Sequence, residues 1–335
     1  MRTRAIVIAR DESKRPIDAS TVPGGDPAIL GKAFMTDPAI PSAPASWALW
    51  RDRRGRLSSV RVATLALLLF PLAKAAVDWG SIVHGARPIN DLIHRAGFWT
   101  LIFLGVTLAV TPFRSVARYG MLVDVRRMLG VGTFCYAAAH VALYFADQGY
   151  DVGKFLHELT HRWYLIVGGT AWLGLAALAA TSTNGMMRRL GPLRWRRLHQ
   201  LIYAIALLAL IHYFQQTKAD VTVPAFAAGL FGWLMLYRVL AWWQETSELS
   251  TLTLAGLTIL AALLTFAGEA IGIGIAFHVS PLVVLADAFD IDVGIRPGWE
   301  VLAAGIAVVL VDLVRSRWNG RPSRVRPLRQ VKIET

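Results

Sequence analysis

One feature leaves this chain few folds to choose from: long stretches of residues with almost no charge, repeated from end to end. They run Val60–Trp79, Gly97–Phe113, Met128–Ala146, Trp163–Thr181, Leu198–Phe214, Val223–Trp243, Thr253–Ala276 and, with the weakest pattern, Val301–Val314. A helix rises 1.5 Å per residue, so ~20 apolar residues cross the ~30 Å hydrocarbon layer of a bilayer. Inside that layer a helix satisfies its own backbone hydrogen bonds. The expected fold class is therefore all-α, a polytopic transmembrane helix bundle of eight spans. Composition agrees, with 55% of the 335 residues hydrophobic and 17% charged, a balance that soluble domains seldom reach.

The formal net charge of +13 would also suit a nucleic-acid binder, so the placement of the basic residues has to decide. They alternate loop by loop. Arg51, Arg53, Arg54, Arg56 and Arg61 precede the first stretch; Arg114, Arg118, Arg126 and Arg127 separate the second from the third; Arg188, Arg189, Arg194, Arg196 and Arg197 separate the fourth from the fifth. Arg238 closes the sixth, and a basic run from Arg315 to Lys332 follows the eighth. The intervening loops hold only Arg87, Arg95, Lys154, Arg162, Lys218 and Arg296. By the positive-inside rule both termini are cytoplasmic. The partner implied is membrane lipid, with no nucleic acid. Residues 1–50, rich in Pro, Ala, Asp and Ser and without apolar period, read as a disordered cytoplasmic arm. Residues 319–335 read as a basic cytoplasmic tail, and no removable signal peptide precedes the first span. The single cysteine, Cys135, excludes an intrachain disulfide, a C-x-x-C-H haem attachment and a cysteine-rich zinc site.

Ionisable groups within a span are costly, which makes them functional candidates. His84, His94, His157, His161 and His278 fall in or beside the outer loops, where a solvated imidazole needs no explanation. His140 lies thirteen residues past Arg127 and His212 fifteen past Arg197, depths of ~20 Å and ~22 Å. Two neutral imidazoles facing each other at one level suit the axial positions of a six-coordinate b-type haem; the competing reading is a pair of hydrogen-bonding core histidines. His199 lies only ~3 Å past the same boundary and, along one straight helix, ~140° from His212 in azimuth. It cannot reach the same iron, which leaves a second haem or a flavin-side role open. Met128 stands at a suitable height, but a lone methionine in an apolar helix is more often packing.

The stretches "TPFRSVARYG", "VRRMLGVGTFCYAAAHVALYF" and "HRWYLIVGGTAWLGLAALAATSTNGMMRRLGPLRWRRLHQLIYAIALLALIHYF" resemble the MsrQ (YedZ) family, haem-binding membrane subunits of the bacterial periplasmic methionine-sulfoxide reductase system, within the ferric-reductase-like transmembrane superfamily. The likeness runs from about Val60 to Trp243. It implies a six-helix haem-binding core over 51–245; the two apolar stretches beyond it, outside the likeness, read as an extra transmembrane hairpin over 246–318. The family's haem histidines map onto His140, His199 and His212, and a further histidine onto His94. The resemblance also implies b-type haem, one or two copies; bound flavin mononucleotide (FMN); location in the bacterial inner membrane; and delivery of electrons to a periplasmic molybdenum-cofactor enzyme, MsrP. A cytoplasmic flavin reductase or the quinone pool would be the donor. The chain has no G-x-G-x-x-G fingerprint after a strand and no dehydrogenase domain, so it must be given its electrons, and substrate chemistry is expected on the partner.

Two other readings compete. In one, a metalloreductase reduces ferric or cupric ions at the periplasmic face, using His84, His94, His157 and His161. In the other, a secondary transporter carries protons past Lys74, Asp78 and Glu269, although Lys74 and Asp78, four apart near a helix end, suit an interfacial pair better.

Overall fold

The computed structural model describes residues 49–51, 55–217, 220–246, 248–290 and 294–318. The arm over 1–50, save its last two residues, and the tail over 319–335 lie outside them. The chain divides into two units, Met1–Ala48 with Arg53–Gly55, and Leu49–Asp52 with Arg56–Thr335; the second holds every helix described. These are α1 (Ser59–Val77), α2 (Trp79–Val83), α3 (Pro88–Val116), α4 (Val123–Asp147), α5 (Val152–His161), α6 (Trp163–Ala180), α7 (Asn184–His199), α8 (Ile202–Gln216), α9 (Thr222–Trp243), α10 (Thr251–Phe277), α11 (Pro281–Asp287) and α12 (Pro297–Trp318). Among the described residues no strand occurs beyond an isolated bridge between Arg51 and Leu57. Among the described residues eight segments are long and apolar enough to cross a membrane: α1, α3, α4 with its 3-10 lead-in, α6, α7 with α8, α9, α10 and α12. The expected all-α polytopic bundle is what forms.

Three boundaries differ from expectation, each for a local reason. Helix α3 begins at Pro88, nine residues before the apolar run, because a proline at its first position and Asp91 in its first turn favour a helix start there. His94 is thus helical. The basic stretch Arg188–Arg197, expected as a loop, is also helical: the Thr183 side chain accepts from the Met186 N–H at 3.2 Å and opens α7. Gly191, at φ 73° and ψ 162°, then breaks α7 in two, a conformation that favours glycine. Finally, α7 ends at His199 and α8 starts at Ile202. The two histidines therefore lie on different helices, and an azimuth reckoned along one straight helix does not apply.

Two antiparallel hairpins form the centre. Helix α3 packs along α4 and α6 along α8, while α4 also meets α6 and α3 meets α8. Helix α1 packs on α4; α9 packs on α3 and α8; α10 and α12 pack on each other and on α9. The main core runs through Leu104 and Leu108 of α3, Ala171 and Leu175 of α6, Ile205 of α8, Trp233 of α9, Leu254 of α10 and Val301 of α12, and a smaller cluster gathers Val110 of α3 with Val125 and Leu129 of α4. Half-buried Arg238 of α9 ties three helices at the arginine-rich end. Its guanidinium donates to the carbonyls of Leu234 and Leu108 and lies 5.3 Å from the Tyr203 ring centroid.

At the opposite end an ion network joins α1 to α3. Asp78 accepts from Lys74 Nζ at 2.9 Å and from Arg95 at 2.8 Å, and Arg95 also reaches Asp91 at 2.8 Å. Hydrogen bonds from Lys74 and then Arg95 hold the Asp78 carboxyl below its ordinary value of 3.8. A carboxyl depressed on folding stabilises the fold above its unfolded value and loses that contribution as pH falls through the folded one. The melting temperature of detergent-solubilised protein should therefore exceed that of Asp78→Asn by a constant margin down to about pH 4, and the margin should close below it. A margin that persists unchanged in acid would show that the network does not act through this charge.

Candidate functional site

His140 projects from α4 and His212 from α8, and the structure brings them together. Their ring centroids lie 6.3 Å apart with the planes at 82°. Each Nδ1 sits 2.8 Å from a main-chain carbonyl oxygen, that of Ile93 on α3 for His140 and that of Tyr164 on α6 for His212. A carbonyl only accepts, so both Nδ1 atoms carry the proton and both Nε2 atoms keep a lone pair. Metal-ligating histidines are commonly oriented in this way, by an outer hydrogen bond that fixes the tautomer.

The two braces share one construction. Gly97 lies four residues after Ile93, and Gly168 four after Tyr164. A Cβ at Gly97 would stand 3.1 Å from Nδ1 and Cε1 of His140; one at Gly168 would stand 2.7 Å from Nδ1 of His212. In both helices the missing side chain lets the imidazole press against the turn and reach the carbonyl.

The donor set fits haem. Metal–imidazole bonds of about 2.0–2.1 Å, with ~1.1 Å from ring nitrogen to centroid, would set two imidazoles on opposite sides of one metal roughly 6.2–6.4 Å apart, a separation that His140 and His212 match. Among the described residues no three His, Cys, Asp or Glu side chains converge, so the pair suits an iron that brings four equatorial donors of its own. Beside the pair, an apolar cavity of about 470 Å³ runs along α3, α8, α9 and α12; Phe98 and Leu210 line it, but neither histidine does. Trp172, one turn beyond Gly168 on α6, packs on Phe134, and its buried Nε1–H has no partner, an orphan donor of the kind a bound group would satisfy.

The other candidates stand apart. His199, at the end of α7, has Nδ1 3.1 Å from the Trp195 carbonyl and Nε2 3.3 Å from the Ser182 hydroxyl, and its ring stacks on Trp195 at 3.9 Å. It belongs to the arginine-rich end. His94 is exposed on α3, next to the buried Ile93 that braces His140. His157 and His161 stack on each other at 3.9 Å on α5, exposed, and His84 and His278 are exposed as well. Ile93, Tyr164, Gly97, Gly168 and Trp172 are not singled out by the sequence alone; the glycine four residues after each accepting carbonyl marks the first four only once the imidazoles are placed.

Residues 96–210 match the family described as Ferric reductase like transmembrane component. The chain is 40% identical over 200 residues to the protein-methionine-sulfoxide reductase heme-binding subunit MsrQ of Xanthomonas campestris pv. campestris, covering 58% of this chain and 90% of the relative. It is 36% identical over 196 residues to the MsrQ subunit of Herminiimonas arsenicoxydans, with the same coverage. Against that of Xanthomonas euvesicatoria pv. vesicatoria it is 42% identical over 173 residues, 51% of this chain and 78% of the relative. No solved structure matches. With nine-tenths of the length of two of these relatives matched, and with a histidine pair that fits haem inside a multi-pass bundle, the chain belongs to the MsrQ family of haem-binding membrane redox subunits.

Proposed function

We propose that the protein is the inner-membrane electron conduit of a periplasmic protein-methionine-sulfoxide reductase system. In this reading it takes electrons from a cytoplasmic flavin reductase or the quinone pool and hands them to a separate molybdenum-cofactor reductase, MsrP. The observation that carries the proposal is the His140–His212 pair, 6.3 Å apart and each tied through Nδ1 to a carbonyl. A b-type haem held there supplies reversible one-electron exchange at its iron. The residues of the chain do the rest. His140 and His212 present two neutral Nε2 lone pairs, Ile93 and Tyr164 hold the tautomers, and the apolar faces of α3 and α8 keep water out. His199, at the basic end that the charge rule places in the cytoplasm, serves the donor side, at a second haem or at FMN; Trp195 stacked on it offers a flat aromatic surface. His94, beside the brace of the outer site, completes the set that the family likeness assigns. The partner would meet the opposite rim, where α5 carries Asp151 as its N-cap and Glu158 paired with Arg162.

The test is a reoxidation assay. Protein reduced with dithionite and freed of excess reductant should keep its reduced absorption bands with methionine sulfoxide alone or with a catalytic trace of the molybdenum enzyme alone, and lose them when both are added. Bands that stay reduced with both present would sink the conduit. Rapid reoxidation by ferric chelates alone would instead select the metalloreductase.

A further inference from the structure

Outside the residues 96–210 that match the ferric reductase description, α9 and α10 enclose a groove of about 500 Å³ that also touches Phe214 and Thr217 at the end of α8. Its lining mixes small residues, Ala225, Ala228 and Gly232 on α9 and Gly268 and Gly272 on α10, with larger apolar ones such as Leu236 and Leu264. Among the described residues lining it, Glu269 is the only ionisable one. The Glu269 side chain is 3% exposed, and it meets Arg296 Nη1 at 3.5 Å, the outer limit of a hydrogen bond. Arg296 Nε is itself buried without a partner.

A structural ion pair would look different. Burying two charges is offset only when their geometry is good and further hydrogen bonds satisfy what remains. Here one long contact serves a carboxyl group with about four acceptor sites, so acceptor capacity is left facing the groove. Depth restricts what could use it. Glu269 lies eight residues from the end of α10 at Phe277, ~12 Å inside the helix end, below the level of phospholipid headgroups. An anionic headgroup would in addition meet a carboxylate. A neutral hydroxyl donor on an apolar body meets neither objection.

We propose that the α9–α10 groove binds a neutral, hydroxyl-bearing lipophile of the bilayer, its hydroxyl donating to the Glu269 carboxyl group and its apolar body lying along the glycine and alanine wall. A quinol ring and a diacylglycerol share this chemistry. The construction of the site involves neither histidine, so its binding test is separate from the electron-transfer reading, although a quinol there would also belong to one of the donor classes proposed above.

The experiment measures binding of two probes, a decyl-chain benzoquinol and dioctanoylglycerol, to the full-length haem-loaded protein in nanodiscs, with no reductase partner present. Three variants accompany it: Glu269→Leu, Glu269→Gln and Gly268→Leu. Gly268 lines the groove and a Cβ there meets nothing within 4 Å, so the substitution begins without a backbone or side-chain clash. Saturable binding of at least one probe is expected, weakened roughly tenfold or more by both leucine variants and less by glutamine, which keeps an acceptor oxygen. The haem spectrum should be the same in all four proteins, which separates loss of the site from loss of the fold. Binding of the quinol alone, or of the glycerolipid alone, identifies the source. Absence of saturable binding by either probe, or binding unchanged in Gly268→Leu, overturns the proposal. So does a groove that binds phosphatidylglycerol equally well with and without Glu269 while ignoring both neutral probes.

Discussion

Alanine at either His140 or His212 is expected to strip the purified protein of the low-spin haem spectrum assigned to that pair, and each variant should lose it completely. The reason is the economy of the site. Among the described residues no third His, Cys, Asp or Glu converges on the two imidazoles 6.3 Å apart, and a six-coordinate low-spin iron would need both. The two losses should therefore be equal, not graded by burial. His157→Ala, on the exposed face of α5, is the matched control and should keep the spectrum. Circular dichroism of each variant checks that the helices remain. Full haem content with an unaltered spectrum in either His140→Ala or His212→Ala would refute the pairing outright.

The second large effect is expected from a single methyl group. Gly168→Ala places a Cβ 2.7 Å from Nδ1 and 2.8 Å from Cε1 of His212, well inside ordinary contact distance, in a ring whose Nδ1 is held by the Tyr164 carbonyl. Either the ring or α6 must move. Overpacking of this kind costs about 1–3 kcal/mol, and pulling Nδ1 off its acceptor removes a further 0.5–1.5 kcal/mol or so. Gly97→Ala is the milder case, since its Cβ would stop 3.1 Å from His140. Gly105→Ala, on α3 with nothing within 4 Å, should be silent. Haem retention through purification should thus fall in the order Gly105→Ala, Gly97→Ala, Gly168→Ala, and the reduction midpoint should shift in the last two as the axial rings rotate. Wild-type retention and midpoint in Gly168→Ala would show that the ring has room to yield.

Which parts of this were legible beforehand follows from where each kind of information resides. The eight spans could be read because hydropathy is local, and His140 and His212 could be matched in level because arginines mark one boundary of α4 and of the α7–α8 span. The braces could not. Ile93 and Tyr164 act through main-chain carbonyls, which every residue has, and Gly97 and Gly168 acquire meaning only once the imidazoles are known to lie against them. The stretch Arg188–Arg197 was misread as a loop because a helix charged on all sides gives no apolar period, and nothing in the sequence says that Thr183 will cap it. The share of α10 and α12 in the common core was invisible for the opposite reason. A helix apolar all round does not reveal which side meets protein and which meets lipid, so Leu254, Leu257 and Val301, all but fully buried, look like their lipid-facing neighbours.

The braces also bear on how such a site can be put together. His140 is steadied by α3, its partner in one hairpin, and His212 by α6, its partner in the other. Neither imidazole borrows its orientation from the opposite hairpin. Each pair of spans can therefore leave the insertion machinery with one ligand already aimed and in the right tautomer, before the other pair has been made. Assembly then reduces to two finished half-sites closing on a flat guest, with the guest itself as the rivet.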